Sequence, residues 1–441
     1  MHPGGLIGKQ QHTDENNSSI PSIGRTAAHA GSFLPNANRK ECPRSIMSLL
    51  CSVVLTTIFD SDILDAYFEN FQRYGHLESV RVIVVPDRKT PGAVFSHCTS
   101  LRKRGLNVVC PALCEQEEYL GRLGSFSRLV PYNSDNRRNV GFLMAWEQGV
   151  DFLISIDDDN YSLPSEDFIA EHSVVSKDTR CFPVVESDTH WINLCNLLEL
   201  EPPWNVYPRG FPYRHRQQRA KTSSRSQEGL VHLNAGLWIG DPDLDAFTWL
   251  AAPVRAESFK GSSIVLGANT WSPINTQNTA LAREAIPSYY FVRMGHQVGG
   301  MIMDRYGDIF SGYFSQACIR HLGHWVRIGT PVTEHRRNSH NYLNDAAKEM
   351  PCIWVLEEIT EWLREAKLEG SDYLEAYTSL SYALDDAVER FTGSVWNDST
   401  RSGFHQMAYC MRQWVRACQI LQSGETAGPR PLRSYAGQGK A

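Results

Sequence analysis

The sequence predicts an α/β protein: a Rossmann-like, mostly parallel mixed sheet flanked by helices, followed by a helical C-terminal region. Three observations lead to this prediction. Short β-branched or apolar runs alternate with amphipathic segments between residues 53 and 156. The last of these runs, which ends at Ile156, is followed directly by three acids. Beyond residue 372, apolar side chains recur every three or four residues, which is typical of helices.

The composition is that of an ordinary soluble protein with room for one large domain or two smaller ones. The chain has 441 residues, of which 42% are hydrophobic and 21% charged, and its formal net charge is −6. No basic block dominates, so we do not expect nucleic acid as a partner. No apolar run reaches membrane-spanning length, and the eleven scattered cysteines include no Cys-x-x-Cys pair. These features favour a cytoplasmic protein with reduced thiols and no membrane span.

The expected organisation has four parts. Residues 1–46 are rich in Gly, Ser, Asn and Pro and show no apolar period, so we expect a disordered N-terminal segment. Residues 47–345 hold the alternating strands and helices and form the expected catalytic domain. Residues 346–422 are expected to be a helical region, and residues 423–441 a flexible tail.

The first half of the chain shows the clearest pattern. Short apolar runs bounded by turn residues predict strands, and the segments between them predict helices. The strands are expected at residues 53–58, 80–85, 106–109 and 152–156, and the helices at 63–71 and 139–148. This alternation favours parallel strands joined by crossover helices.

The second half is less regular. Residues 200–230 combine several prolines with arginines, which predicts a long basic loop before an apolar run at 233–240. Residues 299–314 are rich in turn signals and are expected to precede a helix at 314–322. Two apolar stripes predict amphipathic C-terminal helices: Tyr373, Tyr377, Leu380, Leu384, Val388 and Phe391, and then Met407, Met411, Trp414, Cys418 and Leu421.

The acids Asp157, Asp158 and Asp159 follow a short apolar strand. Ligands of open α/β sheets bind at the carboxyl ends of strands. Because side chains alternate along an extended chain, we expect Asp157 and Asp159 to face one way and Asp158 the other. Two converging carboxylates repel each other unless a cation lies between them, and Mg²⁺ or Mn²⁺ prefers such oxygen ligands together with substrate phosphates. The pattern therefore predicts a metal–diphosphate site of the kind that nucleotide-sugar enzymes use; the alternative is a solvated acidic turn.

Five further motifs occur with these acids in a recognisable order. The chain resembles the reversibly glycosylated polypeptides, the family that includes the plant UDP-arabinopyranose mutases, from about Val53 to Leu421. The motifs that carry the resemblance are Ile154-Ser-Ile-Asp-Asp-Asp159, Arg209-Gly-Phe-Pro-Tyr-Arg-His-Arg216, Gly236-Leu-Trp-Ile-Gly-Asp-Pro-Asp-Leu-Asp245, Arg305-Tyr-Gly-Asp308, His321-Leu-Gly323 and His335.

The resemblance implies a GT-A glycosyltransferase-type fold with a bound metal. Asp159 would coordinate Mn²⁺ or Mg²⁺ directly, while Asp157 would contact the metal, a metal-bound water or the ribose of the donor. Asp158 would orient its neighbours or contact the sugar. His335 matches the family's C-terminal histidine and would complete the metal shell, where imidazole suits Mn²⁺ better than Mg²⁺; a purely structural histidine is the alternative.

The resemblance also implies roles for two arginines. In the family, the arginine that matches Arg209 is the site of reversible glycosylation, and the one that matches Arg216 is also required. Both could bind the diphosphate, because a guanidinium binds phosphate oxygens with two parallel hydrogen bonds. A solvated basic loop is the alternative. Arg138, directly before a predicted helix, is a further candidate for the diphosphate or the base.

The remaining candidates lie around the substrate. Thr57 and Asp87 occupy the ends of the first two strands, where the uridine pocket is expected, although Asp87 could instead shape a turn. Asp308 would act as a general base or anchor a sugar hydroxyl, unless it too belongs to a tight turn. Two positions depart from the family pattern: Asn160 stands where the family has Cys, and Gly307 where it has the first of two Asp.

Three functions remain open at this point. The first is a metal-dependent glycosyltransferase that moves the sugar of a nucleotide-diphosphate donor, expected to be a UDP-sugar, to a small-molecule or protein acceptor. The second is a UDP-sugar mutase that interconverts pyranose and furanose rings and could glycosylate itself. The Arg209 and Arg216 pair favours the mutase, whereas Gly307 counts against it. The third is a non-catalytic subunit of a glycosylation complex; assembly into a homo-oligomer is left open.

Overall fold

The computed structural model describes residues 50–175 and 178–424. The expected disordered segment at residues 1–46 lies outside the described residues, as does the expected tail from residue 425 onward. Contacts group the described residues into one compact unit. No helix within the described ranges combines the length and apolar character that crossing a bilayer requires.

The strands of the described ranges form one large sheet and a small separate hairpin. The strands are β1 (Cys51–Thr57), β2 (Val80–Pro86), β3 (Asn107–Val109), β4 (Phe152–Ile156), β5 (Asn160–Ser162), β6 (Arg180–Ser187), β7 (Leu198–Glu201), β8 (Thr222–Gly229), β9 (Val231–Gly240), β10 (Arg255–Phe259), β11 (Ile264–Leu266), β12 (Asn278–Ala282), β13 (Gln297–Val298), β14 (Met301–Ile302) and β15 (Trp325–His335). The large sheet has the order β3-β2-β1-β4-β12-β9-β15-β11-β6-β8, and β5, β7 and β10 pair beside this path.

The helices cover the sheet and continue into a C-terminal layer. In the described residues, two large core clusters and one small one hold the buried apolar side chains, and β1 and β4 contribute to both large clusters. The helices are α1 (Ile63–Tyr74), α2 (Gly92–Lys103), α3 (Leu113–Gly121), α4 (Arg138–Gln148), α5 (Phe168–His172), α6 (Ala246–Ala251), α7 (Gly307–His321), α8 (Tyr342–Glu365), α9 (Tyr373–Val388) and α10 (Asp398–Ser423).

Strand direction determines where the functional side chains meet. β1 is parallel to β2 and β4, whereas β12 is antiparallel to both β4 and β9. β9 therefore runs in the direction of β4, and β15 is parallel to β9, with His335 opposite Gly240. The carboxyl ends of β1, β2, β4, β9 and β15 consequently lie along one edge of the sheet, where α/β folds bind their ligands.

The predicted α/β class, a mixed sheet flanked by helices with a helical C-terminal region, is confirmed. The elements expected through residue 156 are all present, and β4 has the expected bounds of 152–156. Most strands of the large sheet run in the direction of β4, and antiparallel strands interrupt its second half. The prediction succeeds for these elements because β1, β2 and β4 bury apolar runs and α1 packs one apolar face on the core, whereas α2 and α3 were not predicted.

The prediction of a basic loop at residues 200–230 is wrong for the last part of this segment. Residues 222–229 form β8, an antiparallel partner of β6 at the end of the sheet. Nearly every residue of β8 is exposed, so the strand carries no apolar alternation that sequence reading could detect. Its extended conformation comes from main-chain pairing with β6 and not from burial.

The turn-rich segment and short helix expected at 299–314 and 314–322 are also partly wrong. The helix α7 already begins at Gly307 and is buried along most of its length, so it lacks an amphipathic stripe. Gly307 and Gly312 read as turn signals, but both allow close packing. A Cβ at Gly307 would lie 2.5 Å from the carbonyl oxygen of Val292, and one at Gly312 would overlap the carbonyl group of Ile274.

The C-terminal helices pack onto the sheet layer. Both predicted stripes lie largely on helices, α9 and α10, which contact each other and the rest of the core. The indole of Trp146 on α4 donates to the carbonyl of Cys418 at 3.0 Å, and Trp414 donates to Pro287 at 2.9 Å. The helix α8 begins at Tyr342, four residues before the expected boundary at 346, and it contributes to the cavity described below.

Gly141 of α4 packs so closely on β1 that a Cβ there would overlap Val54 Cγ1. We expect Gly141→Ala to lower the free energy of unfolding by about 1–3 kcal/mol, because the overlap forces the helix away from the sheet. Gly121→Ala is the matched control, since a Cβ there meets nothing within 4 Å and alanine favours the helix. Urea denaturation compares the two variants, and equal stabilities would contradict the close packing.

Candidate active site

A cavity of about 450 Å³ lies at the sheet edge where the strand ends converge. Its walls come from the ends of β1, β2, β4 and β15, from the loops around residues 133–138 and 304–308, and from the first turns of α8. Every site residue expected from the sequence lines this cavity except Arg216. Those residues are Thr57, Asp87, Arg138, Asp157, Asp158, Asp159, Arg209, Asp308 and His335.

Thr57 and Asp87 form the end of the cavity where the nucleoside was expected. The Thr57 hydroxyl oxygen accepts a hydrogen bond from the amide of Phe59 at 3.0 Å. The carboxylate of Asp87 accepts from the amides of Arg88 at 2.7 Å and Ser134 at 3.3 Å. Asp87 therefore does shape the local turns, and its nearly buried carboxylate still faces the cavity.

The three acids after β4 do not alternate as the sequence suggested. The chain turns directly after Ile156, and the amide of Asn160 donates back to the carbonyl of Asp157 at 3.3 Å. All three carboxylates consequently line the cavity, so the expectation that Asp158 points away is wrong. Alternation holds only while the backbone stays extended. Burial raises the pKa of Asp158 to about 7, although a hydrogen bond from Thr57 opposes the shift.

Arg138 braces the start of this turn. Its guanidinium donates to Ser155 at 3.0 Å and to the carbonyl and hydroxyl oxygens of Thr276 at 3.1 and 2.9 Å. It also forms an ion pair with Asp157 at 2.5 Å. Burial raises the pKa of Asp157 to about 6, and the charge of Arg138 opposes this shift. Arg138 was expected to bind a diphosphate or the base, but most of its N–H donors are thus engaged within the protein.

Asp159 and His335 form the part of the cavity that best fits a metal ion. His335 Nδ1 lies 2.5 Å from the carbonyl oxygen of Asp241, so Nδ1 carries the proton that it donates to this oxygen. His335 Nε2 faces Asp159 Oδ2 at 3.4 Å. Ligand bonds of about 2.1 Å at right angles would separate two ligand atoms by about 3 Å, so a cation fits between these two. A histidine whose other nitrogen binds a backbone carbonyl is the arrangement common in metal sites.

The protein does not supply a complete metal shell by itself. Within residues 50–175 and 178–424, no three His, Cys, Asp or Glu side chains converge as a ready set of ligands. Asp159 is further held by Asn338, whose side-chain amide donates to Oδ2 at 3.3 Å. Burial alone would raise the pKa of Asp159, but the hydrogen bond and charge of His335 lower it overall. A metal bound here would take its remaining ligands from water and substrate phosphates.

Arg209 occupies a different environment from the solvated loop or phosphate ligand considered above. Its guanidinium is buried between two carboxylates. Nε and Nη2 donate to Asp243 at 2.9 and 3.0 Å, and Nη1 and Nη2 donate to Asp308 at 3.0 and 2.6 Å. Nη1 also donates to the carbonyl of Arg305. All five N–H donors therefore have partners within the protein.

This arrangement bears on the roles that the resemblance implied for Arg209. Burial alone would lower the pKa of Arg209, but Asp243 and Asp308 raise it well above the usual value. A guanidinium that stays charged has no free lone pair to attack a sugar. The guanidinium of Arg209 can therefore bind a phosphate or become glycosylated only after one of its N–H groups gives up its hydrogen bond to Asp243 or Asp308. In the arrangement seen here, Arg209 holds Asp308 in place.

Arg216 does not line the cavity. It forms an ion pair with the buried Asp245 at 2.5 Å and stacks on Tyr213, with 3.5 Å between its guanidinium carbon and the ring centre. Asp245 in turn caps α6 by accepting from the amide of Thr248 at 2.8 Å. The structure therefore brings Arg216 to the start of α6 and not to the substrate side of the site.

Several cavity residues were not assigned from the sequence. Asp243 lies in the motif that ends at Asp245, and Arg305 begins the motif that ends at Asp308. Their place in these motifs is the signal that could have identified them from the sequence. Arg305 has a left-handed backbone, with φ of 66°, and its Nε donates to Glu349 at 3.0 Å. Lys348 lies on α8, whose sequence carries no motif, so only the fold places it at the site; its neighbour Glu349 does not line the cavity but holds Arg305. The other unassigned lining residues used below are Lys89, Arg137 and Arg337.

We expect Arg209→Met to lower the free energy of unfolding by about 3–5 kcal/mol, because it leaves two buried carboxylates without their cation. Arg214→Met in the same segment is the control, since Arg214 is half exposed and its ion pair with Glu357 contributes at most about 1 kcal/mol. Urea denaturation monitored by tryptophan fluorescence measures both. If Arg209→Met is as stable as the control, Arg209 is not the cation that holds this site together.

Comparisons with known proteins identify the family of this chain. The family model described as reversibly glycosylated polypeptide matches residues 53–423. A probable UDP-arabinopyranose mutase 1 of Pisum sativum is 30% identical over 56% of this chain and 68% of the relative. UDP-arabinopyranose mutase 1 of Arabidopsis thaliana is 30% identical over 68% of this chain and 76% of the relative. These names agree with the expectation of an enzyme that is either a glycosyltransferase or a UDP-sugar mutase.

Solved structures also match over most of the chain. Glucosyl-3-phosphoglycerate synthase of Mycobacterium tuberculosis, in complex with phosphoglyceric acid, is 13% identical over 72% of this chain and 80% of that chain, with a TM-score of 0.36. TarS 1–349 of S. aureus, in complex with UDP-GlcNAc, is 12% identical over 85% of this chain and 92% of that chain, with a TM-score of 0.33. These TM-scores are low, so the assignment rests on the sequence matches. The chain belongs to the reversibly glycosylated polypeptide family.

Proposed function

We propose that this chain binds a UDP-sugar and reversibly breaks the bond between the anomeric carbon and the β-phosphate, as a mutase that changes the ring size of the sugar. One observation supports this proposal above the others: the residues expected for nucleoside, metal and sugar line a single cavity of about 450 Å³. This volume lies in the range of about 300–1,000 Å³ that small-molecule sites occupy. The names of the relatives support UDP-arabinopyranose as the first substrate to test.

The order of residues along the cavity gives the substrate a direction. Thr57 and Asp87 at the ends of β1 and β2 take the nucleoside. Asp159 and His335 lie at the ends of β4 and β15 and take the diphosphate through a metal ion. The sugar then lies against Asp308, whose carboxylate Arg209 fixes with two hydrogen bonds of 3.0 and 2.6 Å.

The metal would be held by Asp159 and His335, with imidazole favouring Mn²⁺ over Mg²⁺. When bound, it would supply positive charge to the phosphate oxygen from which the sugar departs. Asp157 stays engaged with Arg138, which fixes the acid turn. Asp158 and Asp308 are the carboxylates left to orient sugar hydroxyls or to accept a proton from them.

The mutase reaction needs no second substrate. The bond between the anomeric carbon and the β-phosphate breaks and later forms again. In between, the ring bond from the anomeric carbon to O5 breaks, a bond from the anomeric carbon to O4 forms, and the proton of the O4 hydroxyl passes to O5. Asp308 is our candidate for moving this proton; its contact with Arg209 and its position on the cavity wall support the assignment. The balance of atoms therefore closes within the UDP-sugar itself.

Transfer to a separate small-molecule or protein acceptor is the second candidate. One observation favours it: Gly307 stands where the family has an acid. A Cβ at Gly307 would lie 2.5 Å from the carbonyl oxygen of Val292 and 2.7 Å from the ring of Phe291. The packing here thus leaves no room for that acid. The site would then have one carboxylate fewer next to the sugar than the family pattern has.

Replacing either metal-binding side chain should remove the metal dependence of nucleotide binding. We expect Asp159→Asn and His335→Gln each to abolish the increase in UDP affinity that Mn²⁺ produces, because each removes one of two protein ligands. Asp386→Asn, an exposed acid on α9, is the control and should keep the increase. Isothermal titration with UDP, with and without Mn²⁺, measures this; an unchanged manganese effect in both variants would argue against the metal site.

Incubation with UDP-arabinopyranose and Mn²⁺, without any acceptor, separates the candidate reactions. We expect the wild-type protein to convert the substrate to UDP-arabinofuranose and the Asp308→Asn variant to convert none. Chromatography of the nucleotide sugars measures the conversion. Product that forms only when an acceptor is added would favour transfer over the mutase. A protein that binds no UDP at all would instead act as a non-catalytic subunit, and both enzyme proposals would fail.

A further inference from the structure

Most cations on the cavity wall are already engaged. Arg209 uses all five donors within the protein, and Arg138 forms an ion pair with Asp157 and donates to Ser155 and Thr276. Arg305 is held by Glu349 on α8. A diphosphate brings two or more negative charges into the cavity, and these groups have little capacity left to bind it.

Four further cations of the described residues line the cavity. Lys348 is paired with Asp304 at 3.3 Å, which leaves Lys89, Arg137 and Arg337. Lys89 is exposed beside Asp87, at the nucleoside end of the cavity. Arg137 belongs to the same end, since its guanidinium donates to Gln116 and stacks on Tyr132. Only Arg337 follows the metal-binding strand β15.

Arg337 has a buried donor with no internal acceptor. Among the described residues, its Nη1 is buried and meets no hydrogen-bond partner, although the residue lines the cavity. A buried donor without an acceptor costs about 1–3 kcal/mol, so such an atom points to a ligand. The guanidinium lies against the rings of Trp249 and Tyr342, at 5.1 and 5.5 Å from their centres. This aromatic support orients the group without neutralising its charge.

The backbone places Arg337 beside the proposed metal. Its amide donates to Asp241 Oδ2 at 3.1 Å, and Asp241 also accepts from His335 through its main-chain carbonyl. The next residue, Asn338, donates to Asp159. Arg337 therefore lies between two residues that contact the metal-binding carboxylate.

We propose that Arg337 binds the phosphoryl oxygens of the nucleoside diphosphate and stabilises the charge that develops when the sugar departs. This inference rests on the proposed function, because it needs a nucleoside diphosphate in the cavity. It assigns to Arg337 the phosphate role that the sequence suggested for Arg209 and Arg216. The unpartnered Nη1 group suits this role, since a guanidinium binds phosphate oxygens through charge-assisted hydrogen bonds.

The test compares ligands that differ only in their phosphates. Arg337→Met keeps an unbranched stem against Trp249 and Tyr342 but removes the charge and the donors. We expect it to weaken UDP binding in the presence of Mn²⁺ by about 10- to 100-fold, because a hydrogen bond to a charged group is lost. Binding of uridine, which has no phosphate, should stay unchanged. Arg337→Lys, which keeps the charge, should recover part of the loss.

Arg336→Met is the matched neighbour. Arg336 is exposed, pairs with Glu334 at 2.7 Å and does not line the cavity, so its replacement should leave both affinities unchanged. Isothermal titration of the full chain measures all variants. Wild-type affinity for UDP in Arg337→Met, or an equal loss of UDP and uridine binding, overturns the role of Arg337 alone. A wild-type protein that binds no UDP overturns the proposed function, and this inference with it.

Discussion

The guanidinium of Arg209, held between Asp243 and Asp308, is the interaction on which the site depends. Asp243 precedes α6, Asp308 lies in the first turn of α7, and the carbonyl of Arg305 accepts from the same guanidinium. One buried cation thus joins three segments that are far apart in sequence. Buried charges are tolerated only when each is paired and hydrogen-bonded, so these segments can reach their native positions only together.

The same pairing determines what the cavity can bind. Nearby acids pair with Arg138, Arg209 and Arg305. The cavity therefore has many charged side chains but few positive charges without a partner. A nucleoside diphosphate entering such a cavity needs a counter-charge that the wall does not already use. Among the described residues, the space between Asp159 and His335 and the unpartnered Nη1 of Arg337 are two places where the structure offers one. A metal ion and one arginine would then share the developing charge.

Gly307 links the packing of the fold to its difference from the family pattern. It begins α7 at a point where the main chain of Val292 and the ring of Phe291 come too close for any side chain. The missing acid at this position therefore reflects the packing of the core as well as the chemistry of the site. Asp308, one residue later, remains as the acid that faces the cavity, and Arg209 holds it there.

The sequence by itself determined the strands β1 to β4 with the helices α1 and α4, the three acids that follow β4, the family and most of the residues that meet in the cavity. These features depend on local apolar runs and on motifs whose order survives even where identity is low. It also indicated that the ends of the strands would form the site, because parallel strands bring their carboxyl ends to one edge.

Tertiary structure alone decided the partner of each charge. Whether Arg209 meets a phosphate or two carboxylates depends on α6 and α7, which lie far from it in sequence. The turn that brings Asp158 into the cavity, the exposed strand β8 and the contributions of α8 follow from long-range pairing and close packing. Such contacts leave no periodic signal in the chain, because their energy comes from which segments meet and not from the residues of any one segment.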